Sequence, residues 1–169
     1  LMVHPSVPVK SVKELITLAK AKPGQLNYGS SGPGTSQNLS AELLKSMTGI
    51  NITRINYKGS SDATNDLLGG QIQVMFGNPA SAAAHAKSGR LRALAASSAQ
   101  ASPSYPGLPP IAAFVPGYEL VELLGFLAPA KTPAAIVNQW NQAAVRLLNS
   151  ESLKEKFLNT GSEVTTSSP

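Results

Sequence analysis

The 169-residue sequence predicts an α/β fold with a mostly parallel sheet flanked by helices. Three observations carry that prediction. Short strand-like runs alternate with helical patterns four times before Ala96, as in parallel sheets covered on both faces. The stretch Leu26-Asn-Tyr-Gly-Ser-Ser-Gly-Pro-Gly-Thr-Ser-Gln-Asn-Leu39 reads as a short apolar strand, a glycine-rich loop and a helix. Two units of the same form follow, Ile52 to Ser61 and Val74 to Ser81, and consecutive parallel strands bring such loops to one edge of the sheet.

Taken in order, Leu1 to Val3 is the end of a strand closed by His4-Pro5. Ser11 with Glu14 forms a capping box for a helix whose apolar face is Val12, Leu15, Ile16 and Ala19, stopped at Lys22-Pro23-Gly24. Leu26 to Tyr28 is a strand, Gly29 to Thr35 is irregular, and the next helix carries Leu39, Leu43, Leu44 and Met47 at helical spacing with Gly49 as its cap. Ile52 to Asn56 is a strand, Asp62 to Leu68 a short helix, Gln71 to Phe76 a strand. Asn78-Pro79 starts a helix that runs to Lys87, and Arg90 to Ala96 is a fourth strand.

Composition changes at Ser97. Five prolines between Ser97 and Pro116 predict a long ordered loop with one helical turn over Ile111 to Phe114. Leu120 to Leu127 reads as a strand. Thr132-Pro133 opens an amphipathic helix with Ile136, Val137, Trp140, Ala144, Leu147 and Leu148 inward, a second helix carries Leu153, Phe157 and Leu158, Gly161 ends it, and Glu163 to Thr165 is a last strand.

An apolar fraction of 42% with mean hydropathy of -0.02 fits a globular chain, and no apolar run reaches the length of a membrane span. The chain opens Leu-Met-Val-His-Pro, as though within a strand, so a secretory leader is absent and a cut is expected upstream. The absence of cysteine excludes disulfides, thiolate catalysis and cysteine zinc sites. The net charge of +5 comes from basic residues spread singly, with few aromatics among them, which argues against a nucleic-acid groove while favouring small anions.

The spacing Gly29-x-x-Gly32-x-Gly34 is neither a dinucleotide fingerprint nor a P-loop. No nucleophile elbow exists, His4 and His85 stand apart, and the acids Asp62, Asp66, Glu119 and Glu122 have nothing to join them, so neither catalysis, a metal site nor a cofactor is expected. What remains is a set of hydrogen-bond donors at three loops: Ser30, Ser31, Gly34, Thr35 and Ser36 in the first; Tyr57, Lys58, Gly59 and Ser60 in the second; Asn78 and Ser81 in the third. Taken singly, most of these are caps or packing residues. Taken together, at three helix starts, they suit a carboxylate, each charge-assisted bond contributing roughly 1.5–3 kcal/mol when desolvated.

Several motifs extend this reading: Val12-Lys-Glu-Leu15, Asn27-Tyr-Gly-Ser-Ser-Gly-Pro-Gly-Thr35, Tyr57-Lys-Gly-Ser60, Asp66-Leu-Leu-Gly-Gly-Gln71, Gly89-Arg-Leu-Arg-Ala-Leu94 and Gly125-Phe-Leu-Ala-Pro-Ala-Lys-Thr-Pro133. In this set and order the chain resembles the periplasmic solute receptors of tripartite tricarboxylate transporters, also called Bug receptors. The resemblance implies a periplasmic-binding-protein-like (type II) lobe over residues 1–97, with residues 98–169 returning to an incomplete first lobe whose N-terminal part is missing. It further implies a non-enzymatic, periplasmic receptor that traps a small organic carboxylate and hands it to membrane transporter subunits. Gly77-Asn78-Pro79 stands where many relatives carry an acid, leaving a ligand amino group without a counter-charge there. With part of the first lobe missing, the helix face from Pro133 to Leu148 is expected to be exposed and to invite self-association. The rival readings are the effector lobe of a transcriptional regulator, which would carry a helix-turn-helix upstream, and a fragment of an α/β enzyme.

Overall fold

The computed structural model describes residues 1–77, 79–102, 107–160 and 162–169, with backbone alone over 79–81. The chain divides into two compact units, Leu1–Glu122 and Leu123–Pro169. In the first, five strands form one sheet: β1 (Met2–Val3), β2 (Asn27–Ser30), β3 (Thr53–Asn56), β4 (Val74–Met75) and β5 (Arg92–Ala93), in the order β3-β2-β4-β1-β5. β2 runs parallel to β3 and β4, whereas β1 is antiparallel to both β4 and β5. Four strands therefore share one direction and β1 alone is reversed, so the sheet is mostly parallel, as the alternating pattern predicts.

Period-two alternation divides the core between the two faces of this sheet. Val3, Tyr28 and Val74 face a larger cluster with Val12, Leu15 and Ala19 of α1 (Val12–Ala21) and Ala41 and Leu44 of α2 (Ser36–Thr48). Met2 and Met75 face a smaller one with Ala63 and Leu67 of α3 (Ser60–Leu68), Ile72 and Leu91, against which Ala82 of α4 (Pro79–Lys87) packs. Helices thus cover both faces. Burial of each large aliphatic side chain here contributes about 1.5–3 kcal/mol.

The caps follow local chemistry. Ser11 Oγ accepts the Glu14 N–H at 3.2 Å while Glu14 Oε2 accepts the Lys10 N–H at 2.7 Å, a capping box displaced by one residue. Gly49 closes α2 at φ 70, in the left-handed region that glycine enters without steric cost.

Several expectations are corrected. Gly29 and Ser30 belong to β2 and not to the loop, because Gly29 serves close packing: a Cβ there would stand 2.5 Å from Ile72 Cδ1. In α2 the buried face is Gln37, Asn38, Ser40, Ala41 and Leu44, while Leu39 and Met47 are exposed, because the first turn is committed to polar contacts with the loop. α3 begins at Ser60, two residues before Asp62. The strands read over Gln71 to Phe76 and Arg90 to Ala96 shrink to two paired residues each, since β1 offers only Met2 and Val3 as partners. α4 starts at Pro79 as expected, while the N-cap expected at Asn78 and the helix end expected at Gly161 fall on residues outside those described.

Beyond β5 the chain stays on the first unit. Ala96 bridges Pro110, one turn of 3-10 helix forms at Ile111–Ala113, and the buried Tyr118 hydroxyl donates to the Ser40 carbonyl at 3.0 Å. The strand expected over Leu120 to Leu127 does not form. Leu123, Leu124, Phe126 and Leu127 are 84 to 99% exposed, so no neighbouring strand supplies the ladder that apolar sequence needs. Glu163 to Thr165 is likewise irregular. In the second unit α5 (Ala134–Leu148) and α6 (Glu151–Asn159) form as expected, but neither contains a buried residue, and Trp140 is 70% exposed. The apolar face of α5 is uncovered, as the resemblance leads one to expect.

Candidate functional site

Three parallel strands place three loops on one rim. In register, Ser30 pairs with Asn56 and Gly29 with Met75, so β2, β3 and β4 end side by side and lead into α2, α3 and α4 at Ser36, Ser60 and Pro79. The helix starts, with their outward N–H groups, consequently share the edge where open α/β sheets bind ligands.

The first loop is braced by the helix that follows it. Gln37 Oε1 accepts both the N–H and the hydroxyl of Ser31, at 3.1 and 3.2 Å. Asn38 Oδ1 accepts the Gly34 N–H at 3.1 Å, and Asn38 Nδ2 donates to the Tyr28 hydroxyl at 2.9 Å. Thr35 is the N-cap of α2: its Oγ accepts the Asn38 N–H at 3.3 Å and donates to the Gly32 carbonyl at 2.9 Å. The Ser31 and Gly34 amides are thus spent inside the loop. The N–H groups of Ser36 and Gln37 have no partner among the described residues, and neither does the fully buried Ser30 Oγ.

Behind the loop, the Tyr28 hydroxyl donates to Glu42 Oε1 at 2.6 Å, and Lys45 Nζ donates to the same oxygen at 2.8 Å. Burial pushes the Tyr28 hydroxyl up to about 12, with help from the Glu42 carboxylate. For Glu42 burial acts upward, but the hydrogen bonds from Lys45 and Tyr28 hold its carboxyl below the usual value. Gln37, Asn38, Tyr28 and Glu42 were absent from the residues singled out by sequence. Polar residues crowding the first turn of an amphipathic helix, where apolar ones would pack, were the available signal.

The second loop is tied to the first by the Tyr57 N–H, which donates to the Ser30 carbonyl at 2.9 Å. The Tyr57 hydroxyl donates to Asp66 Oδ2 at 2.8 Å, and desolvation, then that carboxylate, push it up to about 12. Tyr57 therefore offers the rim its ring, its N–H and hydroxyl both being spent. Lys58 is exposed and forms no ion pair among the described residues. Gly59 is the N-cap of α3 with open space where a Cβ would stand, and Ser60 opens the helix. In the third loop a Cβ on Gly77 would collide with Met2 Cε. Asn78 and the Ser81 side chain lie outside the described residues.

Two concave spaces lie elsewhere. One of about 180 Å³ is lined by Ser6, Val7, Leu18 and Gln73 at the opposite sheet edge, and one of about 460 Å³ by Glu151, Lys154 and Leu158 within the second unit. Neither includes a rim residue. No group of three His, Asp or Glu side chains gathers among the described residues, and no helix there is long and apolar enough to cross a membrane.

The chain is 35% identical over 132 residues to a protein encoded in the clcB-clcD intergenic region of Pseudomonas knackmussii, covering 77% of this chain and 78% of that one. It is 31% identical over 170 residues to protein BugT of Bordetella pertussis, covering 100% of this chain and 52% of BugT. Among solved structures, R. palustris Rpa4515 with adipate superposes with a TM-score of 0.90 at 38% identity, over 99% of this chain and 56% of that one. The periplasmic binding protein BugD superposes with a TM-score of 0.85 at 27% identity, over 96% of this chain and 55% of BugD. The chain therefore spans about half the length of BugT and of these two structures. The family model described as tripartite tricarboxylate transporter family receptor matches residues 1–169, and the chain belongs to that family.

Proposed function

We propose that this chain supplies one half of a two-lobed periplasmic receptor that captures a small organic carboxylate and delivers it to a membrane transporter, without catalysing a reaction. The observation that carries the reading is the common rim of β2, β3 and β4. The unspent amides of Ser36 and Gln37 and the unpartnered Ser30 hydroxyl belong to this rim, with the second and third helix starts alongside. Ser31, Gly34 and Thr35 shape the first loop, Ser36 adds its amide, and Lys58, Gly59 and Ser60 contribute charge and amides from the second. Tyr57 walls that loop, while Asn78 and Ser81 belong to the third. Residues 1–97, together with the segment up to Glu122 that packs against them, carry this rim, and the residues that follow belong to the other lobe.

Support for the ligand class comes from a relative at 38% identity whose structure is described with adipate. A two-lobed receptor closes over its ligand, and exclusion of water strengthens each charge-assisted bond. Isothermal titration of the full-length receptor with mono-, di- and tricarboxylates tests the proposal. Saturable binding of at least one acid, weakened by Thr35→Ala or Lys58→Ala, supports it, and silence across the panel removes it.

A further inference from the structure

We infer that Glu122 is a specificity-determining residue at the first loop, favouring a carboxylate ligand that carries a hydrogen-bond donor, above all an ammonium group, and disfavouring one that presents a second bare carboxylate there. This rests on the reading of the rim as a carboxylate site. Ser36 is the first residue of α2, and its hydroxyl donates to Glu122 Oε2 at 3.2 Å. A negative side chain therefore stands beside the amides that would hold the ligand's acid. Glu122 forms no ion pair among the described residues, and neither does Lys58 on the second loop.

An acid beside a helix start is ordinarily explained by the helix dipole alone. Here that explanation leaves two things over. Glu122 is held through the Ser36 hydroxyl and takes neither the Ser36 nor the Gln37 N–H. The Ser30 hydroxyl, fully buried, has no partner among the described residues either. Tyr28 and Ser30 share one face of β2 by alternation, and the Tyr28 hydroxyl reaches Asn38 in the first turns of α2. Ser30, one pleat nearer the strand end, therefore points under the start of α2. Donors and an exposed acid thus lie at one helix start. A carboxylate on the donors with an ammonium or hydroxyl turned to Glu122 satisfies both, whereas a second carboxylate meets like charge in a place that closure would desolvate.

Titration calorimetry on the full-length receptor would compare ligand pairs that differ by one ammonium group, aspartate with succinate and glutamate with glutarate. The wild-type protein is expected to bind the aminated member more tightly. Glu122→Gln is expected to shrink that preference about tenfold, chiefly by tightening the plain diacid, and Glu122→Asp to retain it. A preference unchanged by Glu122→Gln, or a wild-type preference for the plain diacid, overturns the inference. If no carboxylate binds the wild-type protein, the carboxylate reading itself falls, and this inference with it.

Discussion

Gln37 Oε1 receives two hydrogen bonds from one residue, the backbone N–H and the hydroxyl of Ser31. Gln37 lies in the first turn of α2 and Ser31 directly follows β2, so a single buried amide oxygen sets the path of the first loop. Gln37→Leu keeps the size but leaves the Ser31 N–H unsatisfied in a partly buried place. We expect a loss of about 1–3 kcal/mol in urea unfolding. Hydrogen exchange confined to residues 31–35 should accelerate in the same variant, and unchanged exchange there would refute the bracing role.

Gly29 is required by packing. Its missing Cβ would stand 2.5 Å from Ile72 Cδ1, 3.1 Å from Ala63 Cβ and 3.2 Å from Tyr57 Cε2. Gly29→Ala should cost about 1–3 kcal/mol through overpacking. Adding Ile72→Val, which removes the closest methyl, should recover part of that loss in a double-mutant cycle, and strict additivity would show that Ile72 is not the obstacle.

Removing the Tyr118 hydroxyl leaves the Ser40 carbonyl without its buried side-chain donor, 3.0 Å away. Tyr118→Phe should lower stability by about 1 kcal/mol, read from the urea midpoint at constant m. A midpoint within error of wild type would mean that the carbonyl is otherwise satisfied.

Alkaline pH should destabilise the fold. Tyr28, Tyr57 and Tyr118 are each pushed up to about 12 from the ordinary value of 10.0, in every case first by desolvation. The unfolded chain loses these protons first, so their contribution is fully present below about pH 10 and disappears as pH rises towards 12. Urea midpoints should therefore hold steady between about pH 8 and 10 and fall by pH 11.5, with a shallower fall in Tyr118→Phe. A flat profile across that window would contradict the assignment.

Trp140 reports on the uncovered face of α5. It is 70% exposed beside Ile136 at 45% and Leu147 at 56%, an apolar surface that soluble monomers rarely leave open. Expressed as these 169 residues alone, the chain should self-associate in sedimentation experiments, and Trp140→Glu should weaken association at least about tenfold. A monomer at every concentration, with Trp140 fully wet, would rule this out.

Much of the topology was legible in the residues. Ser11 and Glu14 marked the start of α1, Gly49 the end of α2, and Pro79 the start of α4, because caps and breakers act through bonds within one turn of chain. The repeated strand, loop and helix units likewise implied three loops on one rim, since parallel strands joined by helices must present their ends together. Positions whose role comes from a distant partner were not legible. Gly29 resembled a turn residue until Ile72 was seen against it, and Leu39 resembled core until Gln37 and Asn38 proved to take the buried side of α2.

The sequence by itself determined the element order, the shared edge of the three helix starts and the family, because these depend on local periodicity, capping and motif order along the chain. Only the tertiary structure decided that β1 runs against its neighbours, that Ser31 and Gly34 spend their amides inside the loop, and that Glu122 stands beside Ser36. Residues 86 positions apart, such as Ser36 and Glu122, are brought together by sheet register and by the return of the chain after Ser97. No window of neighbouring residues encodes that approach.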